Sequence, residues 1–73
     1  MADSLAAGGQ LVLWDLRHAA AAGNAHARCL AEQLGEDLFE LSVWLGHDLL
    51  TREAFTEVRG LLDRAETLRR TLR

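Results

Sequence analysis

Leucines at positions 30, 34, 38, 41 and 45 recur at steps of four, four, three and four. That spacing keeps a stripe on one face of an α-helix. Glu32, Glu36, Asp37 and Glu40 fall mainly off the stripe and read as its solvated side. Gly46 closes the run, so the pattern predicts a helix over about 25–45. A second apolar series, Phe55, Val58, Leu61, Leu62, Ala65, Leu68 and Leu72, predicts a helix over about 51–72. Its outer face alternates Arg with Asp and Glu, and Arg69, Arg70 and Arg73 fall where cations offset a helix dipole. The connection around Gly46-His47-Asp48 is short, which makes the two helices an antiparallel hairpin.

Upstream, Leu11, Val12, Leu13, Trp14 and Leu16 crowd a third segment, about 10–22, with apolar side chains over more than half its circumference. Gly23-Asn24 suits a C-terminal stop followed by an N-cap. The series Leu13, Leu16, Ala20, Gly23, Ala27, Leu30 and Leu34 also keeps helical spacing through the glycine, so one kinked helix is the alternative. In a two-helix hairpin Leu11–Leu16 has nothing to pack on. The expected fold class is therefore all-α: a helical hairpin plus an N-terminal helix, arranged as a three-helix bundle or a hairpin dimer. Residues 1–9 read as a flexible lead-in and 10–73 as a single helical domain.

Composition supports that reading. The 73 residues include no proline, isoleucine or tyrosine, and Leu, Ala, Arg and Glu dominate. Nearly half the chain is apolar and a quarter is charged, enough for one modest core. All eight cations are Arg, a codon usage that suggests a GC-rich bacterial gene. The net charge of −3 provides no general field for nucleic acid or an anionic membrane. No apolar run is long enough for a membrane span, and the N-terminus has no signal-peptide pattern. A single Cys excludes an intrachain disulfide and favours a reducing cytoplasm.

Chemistry-bearing patterns are sparse. His26 and Cys29, three apart on a helix, could touch one metal ion, yet with His18 and His47 they match no zinc spacing, and a buried structural Cys is preferred. Glu32, Glu36 and Glu40 sit at i, i+4 spacing in water, without the divided environments acid–base catalysis needs. Ser4 and Ser42 have no base at a recognisable spacing, and Gly8-Gly9 is too little for a phosphate loop. No catalytic, cofactor or metal site is assigned, and no enzyme is expected.

The small-residue entry at Gly23, the Leu30/Leu34/Leu38 helix, the stop at Gly46 and the helix opening Glu53-Ala54-Phe55 and running through Ala65 and Leu68 together resemble the two-helix co-chaperones of bacterial type III secretion. The resemblance spans about residues 23–72. It implies a helical hairpin that pairs with a tetratricopeptide-type partner and helps keep a needle subunit soluble.

Surplus apolar surface on a small core points to a protein–protein interaction module, an adaptor or co-chaperone. It would bury a helical partner or a second copy of itself against Leu11, Leu13, Trp14 and Leu16, with Ala20, Ala27, Leu68 and Leu72 at the open end of the hairpin. The alternative is a homodimeric regulator that binds nucleic acid through its Arg-bearing face. The acids interleaved with those arginines disfavour it.

Overall fold

A computed structural model describes residues 9–73. The predicted lead-in therefore lies outside the described residues except for Gly9. The chain forms four strands, β1 (Gln10–Ala19), β2 (Ala25–Gly35), β3 (Leu38–Leu45) and β4 (Asp48–Phe55), followed by one helix, α1 (Val58–Leu72). The strands make a single antiparallel sheet in the order β1-β2-β3-β4, each paired with its neighbour in sequence. The fold is a small α+β meander. The all-α expectation, with its hairpin over 25–45 and 51–72 and its helix over 10–22, is overturned.

The correction has a local cause. The stretch read as the central helix is a β-hairpin, turning at Glu36-Asp37 between Gly35 and Leu38. Alongside its three-four spacing it also carries a period of two: Ala27, Cys29 and Ala31 before the turn, then Phe39, Leu41, Val43 and Leu45 after it. Those two sets pair across the strands, Ala27 with Leu45, Cys29 with Val43 and Ala31 with Leu41. Ala, Leu and Glu are helix formers in isolation, and cross-strand packing overrides that preference here. The leucine stripe is split by the alternation. Leu41 is fully buried in the core, while Leu30 lies in register with Ser42 on the opposite face.

The two other connections are equally compact. Gly46 and His47 join β3 to β4 between the paired residues Leu45 and Asp48. Gly46 has φ +62° and His47 has no positive φ, the pattern of a type II′ hairpin with glycine first. Between β1 and β2, Ala20–Ala22 makes one 3₁₀ turn, and Gly23 and Asn24 follow at φ +70° and +67°. The Asn24 N–H closes this loop by donating to the Ala19 carbonyl at 2.9 Å.

Only the last helix was correctly typed, and its start moves from 51 to Val58 because residues 48–55 extend the sheet as β4. Leu61, Ala65, Leu68 and Leu72 turn one face of α1 onto the sheet. They meet Ala19, Ala27, Cys29, Leu41 and Val43, with Leu13, Trp14, Leu16, Phe39, Leu45 and Phe55 around the rim. The Trp14 indole N–H donates to the Ala65 carbonyl at 2.8 Å, tying edge strand to helix. On the opposite side of α1, Arg64 forks onto Glu53 of β4 at 3.0 Å. Gly60 approaches the Phe55 ring so closely that a Cβ there would stand 3.4 Å from it.

Candidate functional site

The helix covers one face of the sheet. The other face is open, and pairing defines its membership. Asp15, Arg28, Trp44 and Leu49 form one row across the strands, and Val12, Leu30, Ser42 and Arg52 form the next. Side-chain contacts agree with this assignment. Trp44 Nε1 donates to Ser42 Oγ at 3.2 Å, Arg52 approaches Glu40 at 3.6 Å, and His26 meets Asp15 at 2.6 Å, all between residues of the open side. The centre is mixed: Leu30 and Trp44 are half-buried beside Arg28 and Ser42, and Val12 and Leu49 on the edge strands are 54% and 41% exposed. Large apolar side chains on a sheet face that no other described element covers are notable, because a sheet normally buries one face and wets the other with polar residues.

Charge on this face is polarised along the strands. The β2–β3 end carries Glu32, Glu36, Asp37 and Glu40. The other end, near the β1–β2 loop, carries Arg17, His18, His26 and Arg28 with Asp15. There Asp15, Arg17, His18 and His26 line a shallow cleft of about 390 Å³, open to solvent. Arg17 and His18 point their backbone out of register because β1 is irregular between Leu16 and Ala19. The Asp15–His26 pair is half-exposed on both sides. Among the described residues no Ser, Thr or Cys lines the cleft.

The edges of the sheet are less available than its face. β1 departs from register at Leu13 and again after Leu16, and β4 departs at Leu50. Such bulges interrupt the row of free N–H and C=O groups that another strand would need.

The residues expected to bind a partner are brought together, but against the chain's own helix. Ala27 and Leu72 are buried, and Leu13, Trp14, Leu16 and Leu68 pack on the core. Leu11 is 41% exposed at the edge of the same side, opposite Ala31, and Ala20 is exposed in the 3₁₀ turn. The surplus apolar surface of Leu11–Leu16 is thus explained by a strand that packs under α1 on one side and borders open sheet on the other. The residues sequence reasoning missed are Val12, Leu30, Trp44 and Leu49 as a joint surface. The signal was slight: on β3, Leu41 and Val43 alternate with Glu40, Ser42 and Trp44, so the second face of that strand carries one large apolar side chain among polar ones.

His26 and Cys29 fall on opposite faces. Cys29 is fully buried under α1, and burial pushes its thiol up to about 12. Among the described residues no group of three or more His, Cys, Asp or Glu could hold a metal ion, and no helix is long and apolar enough to cross a membrane. Glu53 is held below the usual carboxylate range chiefly by the Arg64 hydrogen bonds. Comparison with family models, characterised proteins and solved structures found no match to this chain.

Proposed function

We propose that this chain is a non-catalytic protein-interaction module whose working surface is the open sheet face, covered by a second copy of the chain. The observation that carries the reading is the set of apolar side chains Val12, Leu30, Trp44 and Leu49, which none of the other described elements covers, on a sheet whose opposite face packs against α1. Sheet-on-sheet packing at about 10 Å is the ordinary way to bury such a face. Bulged edges steer association to the face rather than to strand addition. A face with Glu32, Glu36, Asp37 and Glu40 toward one end and Arg17 and Arg28, beside Asp15, toward the other gains charge complementarity to itself when turned around. Nucleic acid is a poorer occupant, since Arg28 and Arg52 share the face with Asp15, Glu32 and Glu40.

The helical co-chaperone reading draws no support from the fold. Of the two helices on which that resemblance rested, only Val58–Leu72 is helical. The buried, unpaired Cys29 suits a reducing cytoplasm, which is where we place the protein.

Sedimentation velocity over a wide concentration range tests the reading. The expected result is a discrete dimer for the native chain and a folded monomer for the double variant Val12→Lys/Leu49→Lys, whose sites are already exposed. A native chain that stays monomeric throughout, or a variant that dimerises as well as the native chain, would overturn it.

A further inference from the structure

The face-to-face reading leaves the orientation of the two copies open, and the charges decide it. On β2 and its turn, His26 and Glu36 lie five residues on either side of Ala31, and Leu30 beside Ala31 faces the open side. A two-fold axis lying in the interface and crossing the strands near Leu30 therefore carries the acidic end of one copy onto the cleft end of the other. Resting on the reading above, we infer that the Glu36-Asp37 turn of each copy seats in the cleft lined by Asp15, Arg17, His18 and His26 of the other. The contact occurs twice per dimer, as an isologous interface requires.

Each component fits its role. Glu36 and Asp37 are exposed at the tip of a tight turn, so their carboxylates are free to enter a groove. Arg17 offers a fork of donors with a permanent charge, and it is exposed. Asp15, the acid within the cleft, already accepts from or pairs with His26 at 2.6 Å, which offsets its repulsion of an incoming carboxylate. Between the two charged contacts the apolar centres of the faces meet. Four strands at about 4.8 Å spacing and roughly six residues of length outline a patch near 15 by 20 Å. Two such patches cover roughly 600 Å² in outline, so a specific dimer, which buries about 1,200 Å² or more, also needs the turn-and-cleft contacts at both ends. The reverse arrangement, with the axis along the strands, sets Glu32 and Glu40 of one copy against the same acids of the other, which like-charge repulsion disfavours.

Charge exchange tests the seating. Arg17→Glu and the double variant Glu36→Arg/Asp37→Arg should each weaken dimerisation about tenfold or more at low salt, the scale of two lost charge contacts. An equimolar mixture of the two proteins restores the pairing of opposite charges at both contacts and should recover the native dissociation constant. The triple variant Arg17→Glu/Glu36→Arg/Asp37→Arg should recover it as a homodimer. All sites are exposed in the single chain, and circular dichroism checks that each variant is folded. If Val12→Lys/Leu49→Lys dissolves the dimer while Arg17→Glu leaves it unchanged, the seating is wrong and the face-to-face reading stands. If both charge variants weaken the dimer and neither the mixture nor the triple variant recovers it, the turn and the cleft are not in contact. A native chain that never dimerises removes the face reading itself.

Discussion

The two faces of this sheet are built from the same four strands and differ in what meets them. On the covered face the side chains are small near the middle strands, Ala27, Cys29, Ala31, with Leu41 and Val43 beside them, and α1 lies across them with Leu61, Ala65, Leu68 and Leu72. The open face carries bulkier and more mixed side chains at its centre, Leu30, Trp44, Arg28 and Arg52, and none of the described residues covers them. Small residues on one side let a helix approach closely. Large residues on the other side form a raised patch that a helix with a single apolar stripe could not also serve. The difference teaches that the described residues make one layer of helix on one layer of sheet, with a second, partly apolar face outside that packing.

The comparison breaks most sharply by truncating matched leucines on the two faces. Leu41→Ala opens a cavity under α1 and should cost about 2–5 kcal/mol. Leu41 is fully buried, and a domain of this size has only about 3–5 kcal/mol from its core, so much of the population should unfold. Leu30→Ala removes the same atoms from the open side and should cost the monomer clearly less. Urea melts of both variants at low protein concentration, where the monomer is the reference, measure the contrast. Equal losses would mean that the open face is buried in the monomer as well.

A second contrast is reactivity. The Cys29 thiol is unexposed, and a value raised from 9.0 to about 12 lowers its thiolate fraction roughly a thousandfold at mildly alkaline pH. A thiol-disulfide reagent at pH 8 should therefore label the native chain only as fast as it opens, and label it at once in denaturant. A cysteine placed on the open side by Val12→Cys, where the native side chain is 54% exposed, in a Cys29→Ala background, should react faster in the monomer and become protected as concentration rises. Rapid native labelling of Cys29 would place α1 off the sheet.

How much of this was legible in the chain depends on the element. The series Leu61, Ala65, Leu68, Leu72 has one period and one face, and α1 forms where it predicts over Val58–Leu72. Residues 25–45 carry two periods at once, because leucines divided between the two faces of a hairpin, Leu30 on one and Leu41 and Leu45 on the other, fall at three-four spacing by coincidence. Gly35 within that run was the punctuation that separates the readings, a turn signal sitting where a helix interior disfavours glycine. Gly46-His47 was read correctly as a stop, yet the flanking residues make a hairpin of strands. The site was hidden for the same reason. In a helix Trp44 belongs to a closed end and Val12 to a separate segment; only the sheet register brings Val12, Leu30, Trp44 and Leu49 onto one surface. Of the residues proposed from the sequence, Leu13, Trp14, Leu16, Ala27, Leu68 and Leu72 take part in the packing between sheet and helix, while Leu11 and Ala20 are exposed.

The hold of α1 on the covered face can be loosened by one atom. Trp14→Phe keeps most of the ring and removes the donor to the Ala65 carbonyl. That should cost about 1 kcal/mol, read as a lower urea midpoint with an unchanged slope. Because Trp14 is on the covered side, the dimer constant should stay at its native value once unfolding is accounted for. A change in association without a change in stability would move Trp14 to the interface.

The smallest effect separates the charged rim of the covered side from the open face by pH. Glu53 is held below its ordinary value, first by the Arg64 hydrogen bond and with help from Thr51. A carboxyl depressed in the folded state binds its proton more readily when unfolded, so its contribution to stability is present above the unfolded value and is lost as pH falls through the folded one. Glu53→Gln should lower stability at neutral pH by up to about 1 kcal/mol, since the pair is partly solvated. It should cost progressively less as the medium is acidified below the ordinary carboxylate range. Melts at neutral and acid pH, in low and high salt, follow this directly, and added salt should shrink the neutral-pH difference. The same substitution lies on the side away from the open face and should leave association unchanged. If Glu53→Gln altered the dimer while Val12→Lys/Leu49→Lys did not, the assignment of working and structural faces would be reversed.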